Sequence, residues 1–485
     1  MVLYVLHHPN HYECENLCRV FFPLDAVKVL HENTELPENT RGVWTVLEDG
    51  TYTVRIKDTA GETVRTGKDD CTEYAITSLL FKALRDHTGI SPLWGMLTGI
   101  HPVKLLRQLT ARCGAEEGGR LFREKYFVSE KKAAFAEKTL FEQEKITAGV
   151  GENDFSLYIG VPFCPTRCAY CSFVSQSVEK TAKQIPTYHR LLLQEIEETA
   201  KIAEELGLTL RSVYVGGGTP TTFSAGQLAA MLKTVRDSFD LSRCTEFTVE
   251  AGRPDTVDEA KLAALLDGGV TRISINPQTL EDSVLQRIGR RHTAQQTVDA
   301  FHLAREAGFQ NINMDLIVGL PGDTAEGFSR TMDGVLALDP ECVTVHSLAL
   351  KRSSAITQSG EINRAHADTA LAFSMMEEAE QRLTAAGYLP YYLYRQTRMA
   401  GNLENTGWAK TGAASAYNIF TMDETETVLA CGAGGVTKLR DPYSEDIYRI
   451  FNFKYSYEYI SRYEEILERK KGIREYYEQF RKRIR

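Results

Sequence analysis

From Asp154 onward, hydrophobic and polar positions fall into a repeating order. Short β-branched and aromatic runs alternate with longer stretches whose apolar residues return every three or four positions. The runs cover 156–159, 212–215, 246–249, 272–275, 313–318 and 343–348, and the stretches between them predict helices over 188–206, 225–238, 258–266, 295–307 and 325–338. Strand-then-helix units in this order build a parallel sheet. Six of them within about 200 residues predict an incomplete barrel, because eight units need about 250. Ligands of such a sheet gather at the carboxyl ends of its strands.

The flanking regions lack that order. Residues 1–150 read as a separate α+β domain of unassigned role, with a hairpin (43–47 and 51–56) turning at Glu48-Asp49-Gly50 and a helix over 72–86. Its segment PLWGMLTGIHPVKLL, residues 92–106, is turn-rich and then apolar, and carries no chemistry of its own. Residues 151–352 form the expected barrel. Residues 353–485 are expected as a mostly helical extension covering the substrate, with a long helix over 365–386, a Gly-rich stretch over 401–435 and charged helices at the end. The fold class is thus α/β, a partial (β/α)6 barrel between two additions.

Composition narrows the function classes. The chain of 485 residues is 43% hydrophobic and 25% charged, which fits a globular chain and excludes collagen-like and disordered classes. With 56 Lys+Arg against 65 Asp+Glu the net charge is −9, so global attraction to nucleic acid is not expected. No apolar run reaches membrane-spanning length, and the start reads as no secretory signal, so the expectation is a cytoplasmic protein. Ten cysteines in a reducing compartment point to thiols or metal ligands rather than disulfides.

Seven of the cysteines (14, 18, 71, 113, 244, 342 and 431) are scattered. The other three, Cys164, Cys168 and Cys171, share the loop YIGVPFCPTRCAYCSF after the first barrel strand. Three thiolates at Cys-x3-Cys-x2-Cys spacing can each bind a different iron of one 4Fe-4S cluster. The fourth iron is then left open for a substrate or cofactor. A three-cysteine zinc site would need a fourth ligand, and no His lies nearby in the loop to supply one.

This loop, with aromatic Tyr170 just before the last cysteine, resembles the radical S-adenosylmethionine (SAM) superfamily. The wider segment is similar to the oxygen-independent coproporphyrinogen III oxidases and their relatives, over roughly residues 154–440. The N-terminal region and the PLWGMLTGIHPVKL and LYRQ…GNLEN segments resemble the longer, HemZ-type branch. The resemblance implies a 4Fe-4S cluster on Cys164, Cys168 and Cys171. It implies SAM contacts at Tyr158, Tyr170, Gly217, Gly218, Thr219, Glu250, Gln278, Arg290 and Asp315. The Gly216-Gly217-Gly218-Thr219-Pro220 turn would hold the methionine end of SAM. Asp315 interrupts an apolar strand, where a carboxylate needs a partner or a ligand.

The implied chemistry is one-electron reductive cleavage of SAM to a 5′-deoxyadenosyl radical, fed by a flavodoxin- or ferredoxin-type donor. That radical attacks the β-carbon of a tetrapyrrole propionate, and loss of carbon dioxide and one electron leaves a vinyl group. Two such steps convert coproporphyrinogen III to protoporphyrinogen IX. The loop departs from the family pattern at two places: Gly160 stands where a His is usual, and Phe173 where a further Cys is usual. A SAM-dependent methylase, a tetrapyrrole-opening enzyme and a haem chaperone on the same scaffold are the rival readings.

Other candidates are weaker. His7, His8, His11, Cys14 and Cys18 could form a second metal site, against a plain solvated loop. His292 and His346 fall near strand ends and could move protons or ligate haem, or be rim residues bonded to backbone. Arg395 and Arg398, beside the tyrosines at 391, 392 and 394 and the Asn402-Leu403-Glu404-Asn405 stretch, would suit propionate carboxylates. The basic tail from Arg469 is expected to be a solvated helix end rather than a nucleic-acid surface.

Overall fold

The computed structural model describes residues 1–23, 25–68, 72–171, 175–348, 369–395 and 403–484. The chain forms two compact units, one built from Met1–Leu140 with Tyr394 and Arg395, the other from Phe141–Leu393 and the residues from Leu403 onward.

The first unit holds a five-stranded sheet of β1 (Val2–Leu6), β2 (Lys28–Leu30), β3 (Gly42–Glu48), β4 (Thr51–Asp58) and β5 (Gly61–Gly67) in the order β2-β1-β3-β4-β5. The expected hairpin is β3–β4, and the expected helix is Thr72–Thr88. Cys14 and Cys18 lie on the helix His11–Phe21 and are buried with Leu17 and Phe21 against Val43, Val54 and Ile76. Burial pushes the Cys14 thiol up to about 12. His8 Nε2 lies 3.0 Å from Thr45 Oγ1. The two cysteines are core, His8 is half-buried and His7 and His11 are exposed, and no group of three metal-binding side chains converges among the described residues. Arg395 is also internal to this unit. Its Nη1 donates to Leu97 O at 2.5 Å and its backbone N–H to Ile100 O at 2.8 Å, so it stitches the 92–106 segment. Arg398 and Asn402 lie outside the described residues.

The second unit is organised by one sheet. Its parallel core is β6 (Asp154–Val161), β9 (Thr209–Gly217), β10 (Glu246–Glu250), β11 (Arg272–Ser274), β12 (Ile312–Val318) and β13 (Cys342–Ser347), while β7 (Phe163–Cys164) and β8 (Gln176–Ser177) pair with each other beside it. These six strands in the order β6-β9-β10-β11-β12-β13, with helices between, are the partial barrel that the alternation predicts.

The sheet then runs further than expected. The C-terminal segment adds β14 (Leu389–Arg395) and β15 (Glu404–Ala409) beyond β13, and β16 (Thr427–Cys431), β17 (Val436–Arg440) and β18 (Ile447–Phe451) beyond β6. Residues after 353 therefore carry strands of the barrel sheet as well as the helices Thr369–Ala385 and Tyr463–Ile484. β16 pairs parallel to β6, directly beside the strand that leads into the cysteine loop.

Local signals fix the helix ends. Ser224 with Gln227, and Thr293 with Gln296, form reciprocal capping boxes that start the helices Ala225–Ser238 and Ala294–Ala307. Along β12 the side chains alternate. Ile312, Met314 and Leu316 are buried, while Asn313 and Asp315 are half-buried on the opposite face. No described helix is long and apolar enough to cross a membrane. The basic tail is engaged in the fold. Lys470 Nζ lies 3.0 Å from buried Glu195, and Arg474 Nε donates to Glu205 at 2.6 Å.

Candidate cluster and cofactor site

The cysteine loop begins where β7 ends. Cys164, Cys168 and Cys171 are half-buried and none is in a disulfide, and the Cys171 N–H donates to Cys168 O at 3.1 Å. A neighbouring segment anchors the loop, since the Ala169 N–H donates to Ile288 O at 2.9 Å and Thr166 Oγ1 to Gly289 O at 3.1 Å. Tyr170 packs, with Ala169, against the buried cluster formed by Val284, Leu285, Ile288, Ile317, Leu320 and Leu348. No group of three ligating side chains converges on one point among the described residues. The donor set fits an anionic sulfur cluster. Arg253 Nη1 faces Cys168 Sγ at 4.0 Å and Thr219 Oγ1 faces Cys164 Sγ at 3.5 Å, one a cation and the other a hydroxyl donor.

The glycine turn after β9 docks on the strand leading into that loop. Gly218 N–H donates to Val161 O and Thr219 N–H to Phe163 O, each at 2.7 Å. A Cβ on Gly218 would come within 2.5 Å of Phe163 O, so only glycine permits this approach. Two backbone bonds thus tie the turn to the strand end that leads into the cysteine loop.

Around the mouth of the barrel the other expected residues line up on successive strands. Tyr158 on β6 sits opposite Tyr214 on β9, and their rings stack with centroids 6.4 Å apart. Tyr214 stacks on Tyr417 at 4.4 Å and donates to Glu250 Oε1 at 2.6 Å. Burial pushes the Glu250 carboxyl up to about 7, and nearby Asp315 pushes in the same direction.

Gln278 is buried and takes a left-handed backbone, with φ of 65°. It is held there by backbone bonds from its N–H to Asp315 O (2.9 Å) and from Ile317 N–H to its carbonyl (3.0 Å). Strain of this kind in a non-glycine residue collects at functional sites. Arg290 is buried, with Nη1 on Asn276 O at 2.6 Å and Nη2 on the Tyr170 hydroxyl at 3.3 Å, so it ties the fourth strand end to the cysteine loop. Asp315 accepts from Asn313 Nδ2 at 2.7 Å and lies 3.9 Å from His346 Nε2.

The two histidines separate in character. His346 faces Asp315 at the barrel mouth, whereas His292 is buried beside Arg290 and Arg253 and is pushed down to about 3 by burial and by those two cations. Asn405, in the stretch expected to cap the barrel, accepts from the Ser347 N–H through Oδ1 at 2.9 Å.

Sequence reasoning missed Arg253, Asn276, Tyr214 and Tyr417. Arg253 and Asn276 follow β10 and β11 directly, so the rule that ligands gather at carboxyl strand ends could have found them. The two tyrosines depend on register, which a single sequence does not give.

The chain is similar to known proteins in sequence and in fold. The family model described as Radical SAM superfamily matches residues 158–335. The chain is 36% identical to the oxygen-independent coproporphyrinogen-III oxidase-like protein HemZ of Bacillus subtilis, over 81% of this chain and 79% of that one. It is 33% identical to the heme chaperone HemW of Bacillus subtilis over 58% of this chain and 69% of the relative. The solved coproporphyrinogen III oxidase HemN of Escherichia coli shares the fold, with a TM-score of 0.53 and 24% identity over 67% of this chain and 72% of that one.

Proposed function

Because the chain belongs to the radical SAM superfamily and, within it, to the oxygen-independent coproporphyrinogen-III oxidase-like proteins, we propose that it is a radical SAM enzyme of tetrapyrrole metabolism that oxidatively decarboxylates coproporphyrinogen III. In this reading Cys164, Cys168 and Cys171 hold a 4Fe-4S cluster. Tyr158, Tyr170, Gly217, Gly218, Thr219, Glu250, Gln278, Arg290 and Asp315 hold SAM. The observation that carries it is that the Gly218–Thr219 turn is backbone-bonded to Val161 and Phe163, the strand end from which the loop of Cys164, Cys168 and Cys171 starts.

When bound, the cluster and SAM supply a carbon-centred radical able to take an unactivated hydrogen atom. Each propionate then loses one hydrogen atom, one carbon dioxide and one electron, the electron passing to a one-electron carrier, and a vinyl group remains. The chain's own residues do the holding. The Gly218–Thr219 turn fixes the cofactor against the cysteine loop, Glu250 and Asp315 offer carboxylates to hydroxyl or ammonium groups, and Arg290 keeps Tyr170 in place. A cytoplasmic setting and a flavodoxin- or ferredoxin-type donor complete this proposed reading.

Similarity to HemW favours a second reading, a haem-carrying protein on the same scaffold. One anaerobic assay separates the two. Reconstituted protein with SAM, reductant and coproporphyrinogen III yields mono- and divinyl products by mass if the first reading holds. Stoichiometric haem binding without those products supports the second. Replacing any one of the three cysteines by Ala should remove SAM cleavage, and a variant that still cleaves SAM fully would refute the ligand assignment.

A further inference from the structure

Arg253 follows β10 and is almost entirely buried, yet its guanidinium is not free to choose a direction. Nε and Nη2 each lie 3.1 Å from one oxygen of Asp255, a two-pronged clamp on one edge of the fork. That clamp turns Nη1 toward the cysteine loop, where it donates to Thr166 Oγ1 at 3.1 Å and Thr166 O at 3.3 Å and faces Cys168 Sγ at 4.0 Å.

The surrounding charges leave this cation only partly compensated. Arg290 is a second buried guanidinium in the same pocket, while Asp255 is the carboxylate that both Arg253 and His292 face, the latter at 3.8 Å. His292 stays neutral, with neither ring nitrogen hydrogen-bonded, and so adds no charge. A surplus positive charge is therefore fixed beside the loop, and the low effective dielectric of a buried site makes it act strongly.

A fixed cation next to a redox centre favours the form carrying the extra electron, and charge near the sulfurs is one of the levers that set a cluster's potential. We propose that Arg253, aimed by Asp255 and Thr166, is a positioning residue that raises the reduction potential of the cluster held by Cys164, Cys168 and Cys171. The inference rests on the ligand assignment above, and on nothing about the tetrapyrrole.

The test is a redox titration of reconstituted Arg253→Gln, followed by electron paramagnetic resonance of the reduced cluster and compared with the unaltered protein. The midpoint should move to more negative potential by at least a tenfold change in the reduction equilibrium, about 59 mV for one electron. Arg253→Lys, which keeps the charge and loses the fork, should recover part of that shift. An Arg253→Gln protein with full iron and sulfide content and an unmoved midpoint overturns the proposal.

Should Arg253→Gln fail to retain iron, Arg253→Met takes its place, because it removes the charge while filling the buried space. A shift in the same direction supports the tuning role and an unmoved midpoint overturns it. Failure of the unaltered protein to take up a cluster would instead sink the ligand assignment, so the two failures are distinguishable.

Discussion

The Tyr214 hydroxyl donates to Glu250 Oε1 at 2.6 Å, and this bond opposes the burial and the Asp315 charge that push the Glu250 carboxyl up to about 7. In the ligand-free chain the group is therefore divided between acid and carboxylate at neutral pH. A ligand whose hydroxyl or ammonium groups pair with the carboxylate lowers that value again and releases a proton on binding.

SAM affinity should accordingly rise with pH through about 7 and level off above it. Calorimetry in buffers of different ionisation heat should detect the released proton. Glu250→Gln should bind more weakly, with no pH slope. Binding without proton release would show that Glu250 does not face the ligand.

A second raised carboxyl lies just after the helix Ala416–Asp423. Glu426 accepts from Ser156, and burial pushes it up to about 8. Its folded-state value is above the ordinary 4.5, so the fold binds a proton that the unfolded chain has given up. Stability from this group is present at acid pH and is lost as pH rises between the ordinary value and about 8. Glu426→Gln mimics the neutral acid and should flatten that decline in urea midpoints measured across the range. A variant with the same pH slope as the unaltered protein would place the titrating group elsewhere.

The barrel was legible because buried parallel strands read as β-branched runs between amphipathic helices, as 313–318 does against the observed β12. Strands β14 to β18 were not. β17 alternates buried and half-buried positions over only five residues, and β15 and β16 lie in a stretch whose glycines suggest loops. The cysteine loop and glycine turn were legible as motifs, since their chemistry requires particular residue types at fixed spacing. The neighbours that tune them were not, because Arg253 reaches Cys168 across 85 residues of chain.

Glu195 on the helix Ile185–Glu205 is fully buried and satisfied from three C-terminal elements. It receives Gly432 N–H at 2.7 Å, Asn452 Nδ2 at 2.8 Å and the Tyr459 hydroxyl at 2.5 Å, besides its pair with Lys470. Removing one partner of a buried pair leaves an uncompensated charge. Lys470→Met should cost about 3–5 kcal/mol in denaturant unfolding. Glu195→Gln combined with Lys470→Met should recover part of that loss, and an additive penalty would mean the two do not interact.

Gly160 stands where the family pattern has His, and the structure supplies a steric reason. A Cβ at 160 would lie 2.9 Å from Ala433 O, and a Cβ on Gly432 would lie 2.2 Å from Gly160 O, so β6 and the turn after β16 approach through two glycines. The Tyr188 hydroxyl seals the junction, donating to Gly160 O and accepting from Ala433 N–H, both at 2.7 Å. Gly160→His must push that turn away and break the bridge, four residues before Cys164. Overpacking of this kind costs about 1–3 kcal/mol, and the displaced strand end should also lower iron content after reconstitution. A His variant that unfolds at the unaltered temperature with full iron would show that the turn yields freely and that the glycine pair does not position the cysteine loop.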